Sequence, residues 1–435
     1  MINIPENCSC GKTHIFRSRV IIQEGAMHQI PQILEQFCAR KVYLIADGNT
    51  FTAAGQTLCR ILEEKGIGVT SCIFPGELLE PDEKSVGRAV MYWEPDCQMV
   101  IGVGSGVVND ISKLVAHISG KSYMIVATAP SMDGYASATS SMTRDGLKVS
   151  VPSKCADVII GDLDVLSKAP VKMMASGLGD MLAKYVSICE WRIAHLITGE
   201  YYCEQVVQLI RQALKRCTDN AAGILTRDKA AVKAVFEGLV IGGMAMAYAG
   251  VSRPASGVEH YFSHVWDMRG VEFGTPVELH GIQCAVATYH AVRLYESLRT
   301  YTPDGEKASD YVAAFDLPAW EQTLRSFLGK GAEAMIAQEC REGKYRKASH
   351  PARFARIVQN WDAILQIIDQ ELPSSGELGK LLDTIGISKD LSSLGVDTEC
   401  ARTTFKVTKD IRDKYVLSRL AWDLGILEDL TQLIS

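Results

Sequence analysis

The sequence predicts an α/β N-terminal domain built on a mostly parallel sheet, followed by an all-α C-terminal domain. Three observations carry this. Over roughly the first 165 residues, short continuous apolar runs alternate with amphipathic segments of helix length, the pattern of βαβ units. From about Ala169 onward helix-length segments follow one another without a strand-like run, punctuated by Pro170, Pro254, Pro276, Pro318 and Pro373. The chain is also long, at 435 residues, for a single hydrophobic core. The expected division is 1–169 and 170–435.

The elements are justified in order. "KVYLIAD" (41–47) is a buried strand, followed by the helical "NTFTAAGQTLCRILEEKG". "GVTSCIF" (68–74) and the helical "EKSVGRAVMYW" come next. Then "CQMVIGVG" (97–104) leads into "GVVNDISKLVAHI", and "SYMIVATA" (122–129) follows. In "SSMTRDGLKVSVPS" (140–153), Asp145-Gly146 between two alternating runs predicts a hairpin. "ADVIIGDLDVL" (156–166) reads as the last strand of this half.

Composition narrows the class of protein. Hydrophobic residues make up 47% and charged residues 22%, with a net charge of −6, ordinary values for a soluble globular chain. No basic stripe is present, so a nucleic-acid surface is not expected; "REGKYRKASHPAR" (341–353) reads as a solvated helix end. "MINIPENCSCGKTH" lacks the apolar core of a leader. "LVIGGMAMAYAGV" (239–251) is too short to span a bilayer and predicts a closely packed buried helix. Thirteen cysteines, several inside apolar runs such as "YVSICEW", suit reduced thiols and a cytoplasmic setting. Cys8, Cys10 and His14 in "CSCGKTH" are three soft metal donors, but a fourth is not evident nearby.

Two loops suggest a nucleotide site. "VIGVGSGVVNDISK" places Gly102, Gly104 and Gly106 where a strand turns into a helix, which permits close approach of a phosphate to free N–H groups and the helix dipole. The spacing is GxGxG on a late strand, unlike the usual dinucleotide fingerprint. Asp47 ends the first βα unit instead, where a carboxylate accepts from an adenosine ribose and favours NAD over NADP. "TAPSMDGYASATSS" (128–141) then gathers Thr128, Ser131, Asp133, Ser137 and Ser140 at a strand's C-terminal end.

Metal donors come from three further segments. "ASGLGDMLAKYVS" is read as a helix opening after Gly177 and Gly179, with Asp180 in its first turn. "RPASGVEHYFSH" sets His260 and His264 four apart, on one face if helical. "VELHGIQCAVATYH" starts another helix at His280. Together Asp180, His260 and His280 would supply one carboxylate and two imidazoles, a set suited to zinc, nickel or ferrous iron. His264 would then serve substrate or a proton.

"GVGSGVVNDISK", "TAPSMDGYAS", "GLGDMLAK", "RPASGVEHYFSH" and "LHGIQ", in this order, resemble the sn-glycerol-1-phosphate dehydrogenases. These sit in the superfamily of metal-dependent alcohol dehydrogenases, glycerol dehydrogenases and dehydroquinate synthases. The C-terminal "TKDIRDKYVLSRLAWDLGIL" (408–427) resembles the bacterial branch, and the likeness runs from about residue 18 to 428. It implies a dehydroquinate synthase-like fold with a nucleotide-binding first domain. It also implies reversible hydride transfer between NAD(P)H and dihydroxyacetone phosphate in a homo-oligomer, a dimer or larger. Asp180, His260 and His280 become the implied metal ligands. Asp133 and His264, with Asp180 close by, become contacts to the glycerol moiety. The implied cofactor residues are Gly106, Val107, Val108, Asn109 and Asp110, with Thr128, Ala129, Pro130, Ser131 and Ser137, beside Gly104 of the glycine turn. For the substrate phosphate, Arg253 and Lys148 are the expected cations. Departures are the "GVGSG" turn, where relatives often carry three consecutive glycines, and extra length around residues 300–350. The rival readings are a polyol dehydrogenase on an unphosphorylated substrate, a dehydroquinate synthase-like lyase, and a non-catalytic binder. A lyase of that type carries "GHTxGHAxE" and a glutamate as first ligand, against "SGVEHYFSH" and Asp180 here.

Overall fold

The computed structural model describes residues 8–76 and 79–435. The chain forms two compact units: residues up to Met181 together with Gln208–Gly250, and Leu182–Val207 together with Val251–Ser435.

The first unit is organised by a six-stranded sheet. Its strands are β1 (Arg19–Gln23), β2 (Lys41–Asp47), β3 (Gly68–Phe74), β4 (Met99–Gly104), β5 (Ser122–Ala127) and β8 (Val158–Asp162), in spatial order β1-β8-β5-β4-β2-β3. Every pairing is parallel. The apolar runs read from sequence are five of these strands; β2, β4, β5 and β8 are buried on both faces, while β3, at one edge, is only partly buried. Val42, Leu44, Ile101, Val103, Met124, Val126, Val158 and Ile160 form one core face. Each such side chain removed from water contributes about 1.5–3 kcal/mol. β1 was not expected; it is a short edge strand whose most buried residue is Ile21.

Hairpin strands β6 (Thr139–Arg144) and β7 (Leu147–Pro152) pair antiparallel in a separate two-stranded sheet. Asp145 (φ 53°) and Gly146 (φ 73°) both turn through the left-handed region, as a two-residue hairpin loop with strand-like twist requires.

The helix Lys229–Ala249 is the one helix among the described residues long and apolar enough to cross a membrane, but 67% of its apolar window is buried inside the protein. Phe236 packs edge-on to Tyr135 with ring centroids 5.2 Å apart. A Cβ on Gly243 would lie 2.7 Å from that of Ala136. These contacts join the helix to the first unit and account for its Gly- and Ala-rich composition.

The second unit is helical. Its long helices include Lys184–Thr198, Val258–Phe273 and His280–Leu298. Glu190 ties them together: it accepts from the N–H groups of Val258 and Leu417 and from the Tyr295 hydroxyl. Burial and the neighbouring Glu259 push its carboxyl well above the usual carboxylate range. In the basic stretch near residue 350, Arg353 makes a two-pronged pair with Asp423 at 2.7 and 2.6 Å.

Lys409 gives this unit a pH signature. It is fully buried, with its ammonium 3.2 Å from the Trp320 ring centroid and 3.4 Å from Asp410. Burial pushes its pKa down to about 8. An unfolded lysine titrates near 10.4, so between the two values the unfolded chain binds more protons and stability rises with pH. Below that window the charge is present in both states and the full burial penalty is felt. Lys409→Met is therefore expected to remove a rise on the order of 3 kcal/mol between about pH 8 and pH 10. Urea unfolding across that range measures it, and an unaltered slope in the variant refutes the assignment.

Candidate active site

Parallel α/β sheets bind ligands where successive connections leave in opposite directions. Here that point lies between β2 and β4, since β3 follows β2 on one side and β5 follows β4 on the other. Ile45 pairs with Gly102, so Asp47 and Gly104 finish side by side two residues later. The glycine turn therefore opens at the switch point.

Its three glycines have different reasons. A Cβ on Gly102 would meet Ser112 Oγ at 2.8 Å and Tyr123 Oη at 2.9 Å, and one on Gly104 would meet Val108 Cβ at 2.5 Å. Both serve packing of the sheet on the helix Gly106–Ser119. Gly106 is different: the nearest atom to its Cβ would be Met132 Cγ at 3.5 Å, an ordinary contact. Among the described residues nothing forces glycine there, whereas a phosphate approaching the first-turn N–H groups of Gly106, Val107 and Val108 would. The residues fit a dinucleotide.

Other expected cofactor residues have structural partners. Asn109 is fully buried; its amide donates to Gly134 O and accepts from Tyr123 Oη. Asp110 pairs with Lys113 at 3.0 Å. Lys113, which sequence reasoning did not single out, is fully buried and donates to the carbonyls of Gly134 and Thr139. It thus ties the helix to the loop after β5. Asp47 caps the helical turn Gly48–Thr50 through a reciprocal bond with Thr50. In the serine loop, Thr128 N–H reaches Gly104 O, Ala129 O accepts from Tyr135, and Ser131 O accepts from Ser176. Ser137 Oγ is bonded within its own turn to Thr139.

One placement differs from expectation. Asp180 does not lie in the first turn of a helix opened by glycines. The helix runs Val171–Leu182, straight through Gly177 and Gly179, and Asp180 is near its C-terminal end. Pro170, before the helix, provides the start signal. Gly177 is explained by contact, since its Cβ would lie 1.9 Å from Pro130 O. Asp180 is fully buried and its Oδ2 accepts the backbone N–H of Asp133 at 2.9 Å. Asp133 thus orients Asp180 through its main chain.

In the second unit the histidines come together. His260 and His264 lie on Val258–Phe273, and His280 opens His280–Leu298. Ring centroids are 5.1 Å apart for His260 and His280, 6.4 Å for His260 and His264, and 6.0 Å for His264 and His280. Glu259 Oε1 is 2.8 Å from His260 Nδ1, and Ser263 Oγ is 2.9 Å from His280 Nδ1. A carboxylate on Nδ1 fixes the tautomer that leaves the Nε2 lone pair for a metal. The residues fit a divalent ion. Sequence reasoning places Glu259 beside the histidines without giving it a role, and it misses Ser263 and also Cys284, which lies one turn after His280 with Sγ 3.6 Å from its Nε2. Burial alone would push that thiol up, but His260 and His280 override it and hold it below the ordinary range.

Arg253 is not available in the expected way. It is buried, with Nε and Nη2 on the Glu200 carboxylate at 2.6 and 2.7 Å and Nη1 on Tyr415 O at 3.0 Å. Its fork is committed to joining chain segments within the second unit. Lys148 lies on β7, opposite Thr143.

A parallel sheet with a glycine cradle at its switch point, in a chain whose helical unit carries an oriented imidazole pair, defines the class of nucleotide-linked metal-dependent dehydrogenases. A family profile described as iron-containing alcohol dehydrogenase matches residues 21–170. A protein named glycerol-1-phosphate dehydrogenase [NAD(P)+] from Halalkalibacterium halodurans is 32% identical over 299 residues, covering 68% of this chain and 75% of the relative. One of the same name from Geobacillus thermodenitrificans is 31% identical over 307 residues, 70% and 76% of the two chains. Among solved structures, glycerol dehydrogenase from Schizosaccharomyces pombe superposes with a TM-score of 0.60 at 17% identity, covering 97% of this chain and 92% of that one, which shows the shared fold. The chain belongs to the glycerol-1-phosphate dehydrogenase family.

Proposed function

We propose that this protein interconverts dihydroxyacetone phosphate and sn-glycerol 1-phosphate with NAD(P)H. The observation that carries the reading is the imidazole pair His260 and His280 with its Nδ1 partners, in a chain whose relatives are named for this activity.

Asp180, His260 and His280 would hold one divalent ion, zinc, nickel or iron. Such an ion supplies Lewis-acid polarisation of the reacting oxygen. Gly104 and Gly106, with Val107, Val108, Asn109 and Asp110, would cradle the dinucleotide phosphates. Thr128, Ala129, Pro130, Ser131 and Ser137 would line the nicotinamide end, and Asp47 would meet the ribose. The cofactor supplies the hydride. The carbonyl oxygen becomes a hydroxyl and needs a proton, which His264, on the same helix as His260, would relay. Asp133 would hydrogen-bond the glycerol moiety while its N–H orients Asp180. With Arg253 engaged by Glu200, Lys148 is the remaining cation proposed for the phosphate.

The same reading includes a small-molecule substrate, a homo-oligomer of two or more chains, and no nucleic-acid partner, in keeping with the net charge of −6. The buried thiols of Cys72, Cys97, Cys189 and Cys217 suit a reducing, cytoplasmic setting.

The test is metal-reconstituted oxidation of NADH with dihydroxyacetone phosphate or dihydroxyacetone. A strong preference for the phosphorylated ketone, abolished by chelation, is expected. Equal or better use of dihydroxyacetone would reassign the protein as a polyol dehydrogenase.

A further inference from the structure

We propose that Cys8, Cys10 and His14 form a structural zinc site, outside the residues assigned to the reaction, that fastens the N-terminal segment to the end of the helix Lys229–Ala249. The three donors lie within seven residues of sequence, Cys-Ser-Cys-Gly-Lys-Thr-His. One ligand atom from each lies within 4.8 Å of the others. Cys10 Sγ and His14 Nε2 are 3.2 Å apart.

The local backbone is shaped for this meeting. Gly11 has φ 80° and its N–H closes a turn on Cys8 O at 3.0 Å, which folds the following residues back toward the two cysteines. His14 is buried, and its Nδ1 is 3.1 Å from the carbonyl oxygen of Tyr248. A carbonyl only accepts, so Nδ1 carries the proton and the Nε2 lone pair is left on the side of the sulfur. That is how metal-ligating histidines are usually held. Lys12 donates to Ala249 O at 2.8 Å, at the helix end where a cation is favoured. Two anchors therefore already fix the segment against that helix end.

An alternative is a buried histidine that happens to pack against two thiols treated as small apolar groups. It accounts for Cys8, which is buried, but not for Cys10, which is half-buried, nor for the imidazole aimed at it. Two thiolates and an imidazole belong to the donor set zinc prefers in structural sites, the fourth corner being closed by a further protein donor. Among the described residues no regular element precedes Arg19, so a metal link would hold a stretch that neither helix nor sheet stabilises.

The test uses the full chain grown with zinc. The parent is expected to carry one more equivalent of metal than Cys8→Ser/Cys10→Ser. The cobalt-loaded parent should show sulfur-to-cobalt charge-transfer absorption that disappears in that double variant and survives Cys284→Ser. The double variant should turn over substrate like the parent at low temperature but unfold at a lower temperature. Equal metal content with unchanged cobalt absorption overturns the proposal. Should the double variant not fold, differential alkylation of the parent decides. Cys8 and Cys10 should resist iodoacetamide until a chelator is added, while the exposed Cys38 and Cys340 react throughout. Equal modification of Cys8 and Cys10 with and without chelator overturns it.

Discussion

His260→Ala is expected to lose the reaction-centre metal and to lower turnover by roughly 10³-fold or more, with the parallel-sheet unit still folded. A Lewis acid contributes several kcal/mol at the transition state, and each 1.36 kcal/mol is tenfold in rate. Two histidines and one support give a graded series that separates binding from chemistry. His260→Ala removes a ligand outright. Glu259→Gln keeps the imidazole but weakens the 2.8 Å bond to its Nδ1, and metal affinity should fall about 10–100-fold. His264→Gln should retain the metal, since His264 is proposed as the proton relay, and lose about 10²-fold in kcat. Metal content measured beside NADH oxidation distinguishes the three. If His260→Ala kept both stoichiometric metal and activity, the ligand set would be wrong.

Much of the sheet was legible because its central strands are buried on both faces and so read as unbroken apolar runs. Val42, Tyr43, Leu44, Ile45 and Ala46 are all fully buried, and no solvent-facing alternation dilutes the pattern. β1 escaped because it is short and only Ile21 is buried, with Arg19 and Gln23 at its ends exposed; β3, at the other edge, stays legible through Val69, Cys72, Ile73 and Phe74. Reading glycine as a helix start puts Asp180 in the wrong turn, whereas Gly177 is there to let Pro130 approach. Contact, not backbone conformation, decided that residue, and contact between distant segments is not written locally.

The same limit governs the site. The four-residue spacing of His260 and His264 is a helical signal and was read; Cys284, four after His280, obeys the same rule and was open to the same reading. Glu259 is visible as a carboxylate beside the histidines, but its bond to His260 is not, because neighbours in a helix do not normally face each other. Its bond to His260 forms in the first turn of Val258–Phe273. Its position before the histidine helix makes Arg253 a candidate phosphate ligand, but the partners that engage it, Glu200 and Tyr415, are 53 and 162 residues away.

Gly177→Ala is the second large effect, and two forces oppose each other in it. Within a helix, alanine is favoured over glycine by up to about 1 kcal/mol. Against that, the new Cβ would lie 1.9 Å from Pro130 O and 2.8 Å from Pro130 C, with Leu239 Cδ1 at 3.1 Å. A flexible side-chain tip could give way cheaply; a backbone carbonyl preceding Ser131 cannot, and proline's fixed φ stiffens it further. Overpacking of this kind costs about 1–3 kcal/mol, so the clash wins and the variant is expected to be less stable than the parent in urea unfolding. The displaced segment is the proposed cofactor loop, Thr128–Ser131, and the strain also falls on the Asp133 N–H bond to Asp180 at 2.9 Å. KM for NADH should therefore rise, with kcat falling as Asp180 loses its orientation, while Cys8 and Cys10 keep their proposed metal. A variant more stable than the parent with unchanged KM would mean that the loop yields freely, and that the close approach of Gly177 does not position it.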